Sequence, residues 1–480
     1  MKKIANFING QQVAPINGVY LENIEPATAQ VYSLLPDSCA EDLESAIEAA
    51  ENAFPQWSAM PLEERSKLLI RLADLVEENA EKLAEAEAID NGKPISFARA
   101  VDSYRSSANI RFFANACTQF ASESHSMGNL AVNYTLRQPI GVVATISPWN
   151  FPLYLFTWKV APALAAGNTV IAKPSEITPM TAALFADLCQ QAGLPDGVLN
   201  ILHGRGAQIG QAMVEHPKIK AISFTGGTNT GKQIAATAAP LFKKLSLELG
   251  GKNPALVFAD CDFDVTVKEI VRASFSNQGQ ICLCSSRIYI ERAIYNDFKH
   301  AFVEQVKQLC TGDPLESDTQ QGALVSQAHM EKVLSYIEVA QQEGGKVLTG
   351  GQRTHLSGRC SNGFFVEPTV IEGLPLACRT NQEEIFGPVC CLQPFDSDEE
   401  ALALANGTDY GLAASIWSSN IKRCHQLAHQ LDFGIVWVNS WLLRDLRTPF
   451  GGMKASGVGR EGGFEALKFF TEPKNVCIKY

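Results

Sequence analysis

The chain has 480 residues, 46% of them hydrophobic and 19% charged, with 36 glycines and 23 prolines. That is an ordinary globular composition on a chain too long for one core, so two or three domains are expected. A formal net charge of −11 repels both phosphate backbones and anionic lipid, and the expected partners include neither nucleic acid nor membrane.

The N-terminal MKKIANFING has no apolar run after its lysines and is not read as a secretory signal. Residues 40–58 place Leu43, Ile47, Ala50 and Phe54 on one helical face, and a second helix follows Pro61 with Leu68, Leu69, Leu72, Leu75 and Val76 as its stripe. A third helix is expected over 97–121. From Gly141 onward short β-rich runs (GVVATIS, NTVIAK, GVLNILHG, KAISFTGG, KKLSLELGG) alternate with helical segments near 180–192, 207–215 and 230–238. This alternation predicts right-handed βαβ units and a parallel sheet. The most apolar stretch, 153–172, contains Lys159, Pro162, Gly167 and Asn168, which argues against a membrane span.

A second series begins at Pro254: ALVFAD, a helix to about Ser276, RIYIER, a helix over 293–309, then KVLTGG, FFVEPTVI, VCCLQPF and IVWVNS. Two α/β units joined near 250–254 follow from it. The segment 133–139 and the C-terminal VCIKY fall outside both sheets, and their strand edges are expected to pair with another subunit. Thirteen cysteines, odd in number and without regular spacing, form no disulfide framework and point to a reducing, cytoplasmic location.

One of them has informative company. Phe275-Ser-Asn277-Gln278-Gly279-Gln280-Ile-Cys282, with Arg287 five residues on, stands between a helix and a strand. Other segments follow a definite order: Ser147-Pro148-Trp149-Asn150-Phe151-Pro152, Ala172-Lys173-Pro174-Ser175-Glu176, Phe224-Thr225-Gly226-Gly227-Thr228, Leu247-Glu248-Leu249-Gly250-Gly251-Lys252, Glu383-Glu384-Ile385-Phe386-Gly387-Pro388, and Pro449-Phe450-Gly451-Gly452. In register across essentially the whole chain, they resemble the aldehyde dehydrogenase superfamily.

The resemblance implies an α/β fold: a Rossmann-type NAD-binding domain from 1–115 and 139–250, a catalytic domain over 251–447, and a small β oligomerisation arm from 116–138 and 466–480 that builds a homodimer or homotetramer. It implies Cys282 as nucleophile, with Cys284 the nearest competitor, Asn150 as oxyanion donor and Glu248 as general base. It places Ser147, Trp149, Lys173, Ser175, Glu176, Thr225, Gly226, Gly227, Leu249, Gly250, Glu384 and Phe386 on the cofactor, NAD, and implies no metal. Gly227 departs from the family's usual serine and offers the phosphates a backbone N–H only. Glu176 favours NAD over NADP, because a carboxylate accepts from ribose hydroxyls and repels a 2′-phosphate.

The chemistry requires these residue types together. A thiolate converts a planar aldehyde into a tetrahedral adduct that can release hydride. Donors at the oxyanion stabilise that adduct, and a carboxylate activates the water that hydrolyses the resulting thioester.

Asn109-Ile-Arg111-Phe-Phe and Ser440-Trp-Leu-Leu-Arg444-Asp-Leu-Arg447-Thr-Pro-Phe450 resemble the 2-hydroxymuconate and 2-aminomuconate semialdehyde dehydrogenases. In that subfamily the resemblance puts Arg111 and Arg444 on the substrate's carboxylate, a pairing that suits bidentate guanidinium. The residues alone also allow Arg111 as a helix-surface charge and Arg444 paired with Asp445. A general or betaine-type aldehyde dehydrogenase is the alternative enzyme. A binding-only descendant of the fold is the alternative class, disfavoured because Cys282, Glu248 and Asn150 are all present.

Overall fold

The computed structural model describes residues 2–480. Its frame is two mostly parallel sheets. The first has eight strands in the order Gly457–Val458, Lys244–Glu248, Ala221–Thr225, Val142–Ile146, Thr169–Lys173, Leu199–Ile201, Asn6–Ile8 and Gln11–Val13. The five from Lys244–Glu248 to Leu199–Ile201 are parallel. Val142–Ile146 and Thr169–Lys173 are buried at every residue, as continuous apolar runs covered on both faces should be.

Chain order in this sheet runs outward from Val142–Ile146, first through Thr169–Lys173 and Leu199–Ile201, then on the other side through Ala221–Thr225 and Lys244–Glu248. The reversal leaves a crevice at the carboxyl ends of Val142–Ile146 and Ala221–Thr225, where open α/β sheets take ligands. The second sheet runs Lys346–Thr349, Thr369–Glu372, Val389–Phe395, Ser285–Glu291, Asn253–Val257, Ala413–Trp417 and Ile435–Val438. Only Lys346–Thr349 is antiparallel to its neighbour. The Ala413–Trp417 strand, fully buried, was not among the expected runs, nor were the N-terminal strands that complete the first sheet.

The expected helices are present as Ala40–Ala59 and Leu62–Glu78, the latter burying Leu69, Leu72, Leu75 and Val76. An unforeseen helix, Ala80–Asn91, follows and ends on Gly92 at φ +84°, the left-handed cap that glycine adopts without strain. The expected third helix is interrupted: a π-helical stretch, Ala98–Ser103, precedes a regular helix Tyr104–Gln119.

The strands outside both sheets pair with each other within the chain. Ala131–Pro139 runs antiparallel to Thr471–Lys479 along its whole length, with Ser124–Ser126 on its far side. Among the described residues no helix is long and apolar enough to cross a membrane, and all thirteen cysteines are free thiols.

Candidate active site

Cys282 sits in the turn between the helix Phe263–Phe275 and the strand Ser285–Glu291. The backbone before it is strained: Asn277, Gln278 and Gly279 all have positive φ, at 51°, 56° and 69°. Two consecutive non-glycine residues in that region cost on the order of 1–3 kcal/mol each and persist only when surroundings over-determine them. Buried side-chain hydrogen bonds do so here. Gln278 Nε2 donates to the carbonyls of Gly92 (3.1 Å) and Ala323 (3.2 Å), and Asn277 Nδ2 donates to the Asn150 carbonyl at 3.1 Å. A Cβ on Gly279 would come within 2.1 Å of the Gly387 carbonyl oxygen, so glycine is required. From the other side Asn253 Nδ2 donates to the carbonyls of Cys282 (2.7 Å) and Cys284 (3.0 Å). The polar residues of the cysteine motif are therefore fasteners of a strained turn.

The Cys282 thiol borders a cleft of about 240 Å³ that runs past Asn150, Trp149, Glu384 and Phe386 to Thr225, Gly226 and Gly227. Burial pushes the thiol up to about 12, with the charges of Glu384 and Glu248 adding and Arg444 opposing. Cys284 lines only a small adjoining cavity, and burial pushes its thiol above the ordinary range. Asn150 Nδ2 donates to the Gln280 carbonyl at 2.9 Å. A primary amide carries two N–H donors, which leaves one for an oxyanion beside Cys282.

Glu248 ends its strand with 3% exposure. Neither carboxylate oxygen has a hydrogen-bond partner. Burial raises this carboxyl well above the usual range, the Glu461 charge adds to that, and Lys159, Arg460 and Arg444 oppose it. Behind it Lys159 Nζ donates to Glu461 Oε1 (2.6 Å) and Ser223 Oγ (3.1 Å). Glu248 is thus a carboxyl whose charged form is disfavoured by burial, with a buried ion pair behind it.

The far end of the cleft suits a dinucleotide. Ser147 Oγ and Thr225 Oγ1 are buried without a protein partner, and the helix Thr228–Ala238 begins at Gly227 with no side-chain cap, so its first N–H groups are available to an anion. Space around Gly227 is open. Glu176 accepts from Lys173 Nζ (2.9 Å) and from the Gly206 N–H (3.1 Å). Burial pushes its carboxyl up, but Lys173 outweighs that and holds it below the usual range. Ser175 Oγ accepts from the Ile177 N–H at 3.2 Å. Leu249 N donates to the Ser456 carbonyl, and a Cβ on Gly250 would overlap the Glu384 carboxylate, itself bonded to the Gly251 N–H at 2.8 Å. Phe386 and His329 set ring edges against Trp149, centroids 5.2 and 5.0 Å away. His329 and Lys332, which also line the cleft, were not foreseen from sequence.

The two arginines separate. Arg444 donates to the Tyr154 hydroxyl, and its guanidinium lies 4.0 Å from the Phe450 ring centroid and 5.0 Å from that of Trp158. Asp445 pairs with Arg447 instead, and among the described residues Arg444 has no acidic partner. Arg111, the other arginine expected at the substrate's carboxylate, lies on the helix surface. It is bound to Asp74 (2.9 Å) and Glu77 (3.0 Å) on the neighbouring helix, so a surface ion pair already satisfies it. Arg105 is a second cation of the same helix. It precedes Asn109 by one turn and so shares its face, and Asn109 Nδ2 donates to the Tyr154 carbonyl at 3.1 Å. Arg105 is half-buried and forms no ion pair among the described residues.

The model of the aldehyde dehydrogenase family matches residues 15–476. The chain belongs to the aldehyde dehydrogenase family. It is similar to the 2-aminomuconic semialdehyde dehydrogenase of Mus musculus, 49% identical over 99% of this chain and 98% of that protein. It is 46% identical to the 2-hydroxymuconic semialdehyde dehydrogenase of Pseudomonas sp. (strain CF600) over the full length of both. The NAD+ complex of an aldehyde dehydrogenase from Bacillus cereus superposes with a TM-score of 0.97 at 40% identity, covering 100% of this chain and 97% of that one.

Proposed function

We propose that this aldehyde dehydrogenase oxidises a carboxylated semialdehyde, 2-aminomuconic or 2-hydroxymuconic semialdehyde, to the dicarboxylate with NAD. The observation that carries the substrate class is Arg444: a guanidinium stacked between aromatic rings, without an acid partner, and near enough to Cys282 and Glu248 to act on both electrostatically. A half-buried arginine of this kind is a carboxylate receptor in waiting. The relatives' names agree with that chemistry.

In this reading Cys282 sulfur attacks the aldehyde carbon, and the oxyanion receives the free N–H of the Asn150 amide and the Cys282 backbone N–H. The uncapped Thr228–Ala238 helix, Ser147, Thr225, Lys173 and Glu176 would hold NAD, which would supply the acceptor for the hydride that leaves the adduct's carbon as the thioester forms. Glu248 then removes a proton from the water that attacks the thioester, and the acid product leaves with Cys282 restored. Glu176 selects against a 2′-phosphate. The small sheet closed by Thr471–Lys479 is the homo-oligomer contact, giving a dimer or tetramer, and thirteen free thiols suit the cytoplasm.

The test compares a carboxylated semialdehyde with an uncharged alkanal on Arg444→Ala and Arg111→Ala. A charge-assisted hydrogen bond contributes roughly 1.5–3 kcal/mol, so Arg444→Ala should raise KM for the carboxylated substrate about tenfold to a hundredfold and leave the alkanal within about threefold. Arg111→Ala should be near wild type on both. Parallel losses on the two substrates would return the chain to the general aldehyde dehydrogenases.

A further inference from the structure

Lys93 and Asp102 form an ion pair with no exposure on either side chain, Nζ to Oδ2 at 2.9 Å. The same ammonium donates to the Asn150 carbonyl oxygen at 3.0 Å and lies 4.7 Å over the Phe151 ring. Replacing such a pair by well-packed apolar side chains is often neutral or stabilising, so global stability is a poor reason for it. Its surroundings suggest another. Asn91 Nδ2 donates to the Trp149 carbonyl at 2.8 Å, and Glu87 Oε1 accepts from the Leu153 N–H at 2.9 Å. One short stretch, 87–102, therefore grips the backbone on both sides of Asn150, and the ammonium holds the carbonyl of Asn150 itself. Asn277 Nδ2 joins Lys93 on that carbonyl, tying it to the strained turn before Cys282.

We propose that Lys93, kept in place by Asp102, is a positioning residue: it fixes the Asn150 peptide so that the Asn150 amide meets the oxyanion. This rests on the reading of Asn150 as the oxyanion donor. A donor must be preorganised to stabilise charge as it develops, and small misplacements of such groups cost as much as a hundredfold in rate. A backbone carbonyl held by two side-chain donors cannot rotate its peptide plane without breaking both bonds.

The experiment is a double-mutant cycle on kcat/KM for an aldehyde, with three side readouts: NAD binding, thermal unfolding, and alkylation of Cys282 by iodoacetamide, a displacement that forms no oxyanion. Lys93→Met/Asp102→Asn removes both charges of the pair, and Asp102→Asn alone keeps the ammonium on the Asn150 carbonyl but leaves it without its counter-charge. With Asn150 intact, the double variant should lose roughly tenfold to a hundredfold in kcat/KM and Asp102→Asn less. Combined with Asn150→Ala, either change should cost under about twofold further, since residues acting through one group are non-additive. Alkylation and NAD binding should stay as in wild type. Equal losses with and without Asn150, or a parallel fall in alkylation, would overturn the proposal. So would failure of both variants to fold, which would make the pair a folding element. If Asn150→Ala itself leaves kcat/KM unchanged, the oxyanion reading of Asn150 fails first and the inference falls with it.

Discussion

Two cysteines two residues apart illustrate how much a single position decides. Cys282 opens on the cleft and Cys284 turns into the core, yet burial raises both thiols. Alkylation needs the thiolate, and with the Cys282 thiol near 12 only a small fraction is ionised at neutral pH. In the cofactor-free enzyme the iodoacetamide rate should therefore rise about tenfold per pH unit through pH 10, with no plateau. Cys282→Ala should abolish the fast-reacting thiol and the dehydrogenase activity, while Cys284→Ala leaves both. A plateau near pH 8 would show that burial does not govern this thiol. The sequence made Cys282 legible because Asn277 and Gln278, which fasten its turn, lie within a few residues, although Asn253, which also holds it, is 29 residues away. The setting of Arg111 was less legible: an arginine in NIRFF shows that a helix carries a cation, but not that Asp74 and Glu77 wait across the helix pair. Lys159 was visible only as a charge in an apolar stretch; its partner Glu461 is 302 residues away.

At the scale of elements, the parallel strands and their helices were legible from alternation, since runs buried on both faces need no partner knowledge to be recognised. Ala413–Trp417 and the N-terminal strands escaped because short segments are strands only by virtue of the sheet they join. The three-stranded arm was legible as β-rich, but its pairing was not, because the contact between Ala131–Pro139 and Thr471–Lys479 spans most of the chain. That pairing leaves Thr471–Lys479 at the sheet's edge, with Leu130, Ile478 and Tyr480 exposed at one end of it. An exposed strand edge with apolar flanks invites another chain unless charge blocks it. Ile478→Lys/Tyr480→Lys should shift the enzyme toward monomer in analytical ultracentrifugation, with the far-UV spectrum unchanged. An unaltered sedimentation coefficient would put the subunit contact elsewhere.

Glu248 belongs to the molecule as a whole. Its strand lies in the first sheet and pairs antiparallel with Gly457–Val458, so the C-terminal part of the chain returns across the second sheet to support it. Leu249 donates to the Ser456 carbonyl at 2.9 Å, and Gly451 is close enough that a Cβ there would lie 2.6 Å from Glu248 Oε1. Three distant stretches thus enclose one carboxyl, and the enclosure raises it. In its proposed role as general base Glu248 works only when deprotonated, and the sign follows: hydrolysis of the thioester should accelerate as pH rises above the ordinary carboxylate range, while formation of the thioester should not depend on this group. Glu248→Gln keeps shape and removes the base. In rapid mixing with saturating NAD and aldehyde it should give one equivalent of reduced cofactor per site and then nearly stop, and the acyl group should be recoverable on Cys282 by mass spectrometry. In wild type the steady rate should climb with pH while the burst amplitude stays constant, because only the second half of the cycle waits for the carboxylate. Steady turnover in Glu248→Gln close to wild type would assign the water's proton to another group, and loss of the burst itself would mean that Glu248 also takes the proton of the Cys282 thiol.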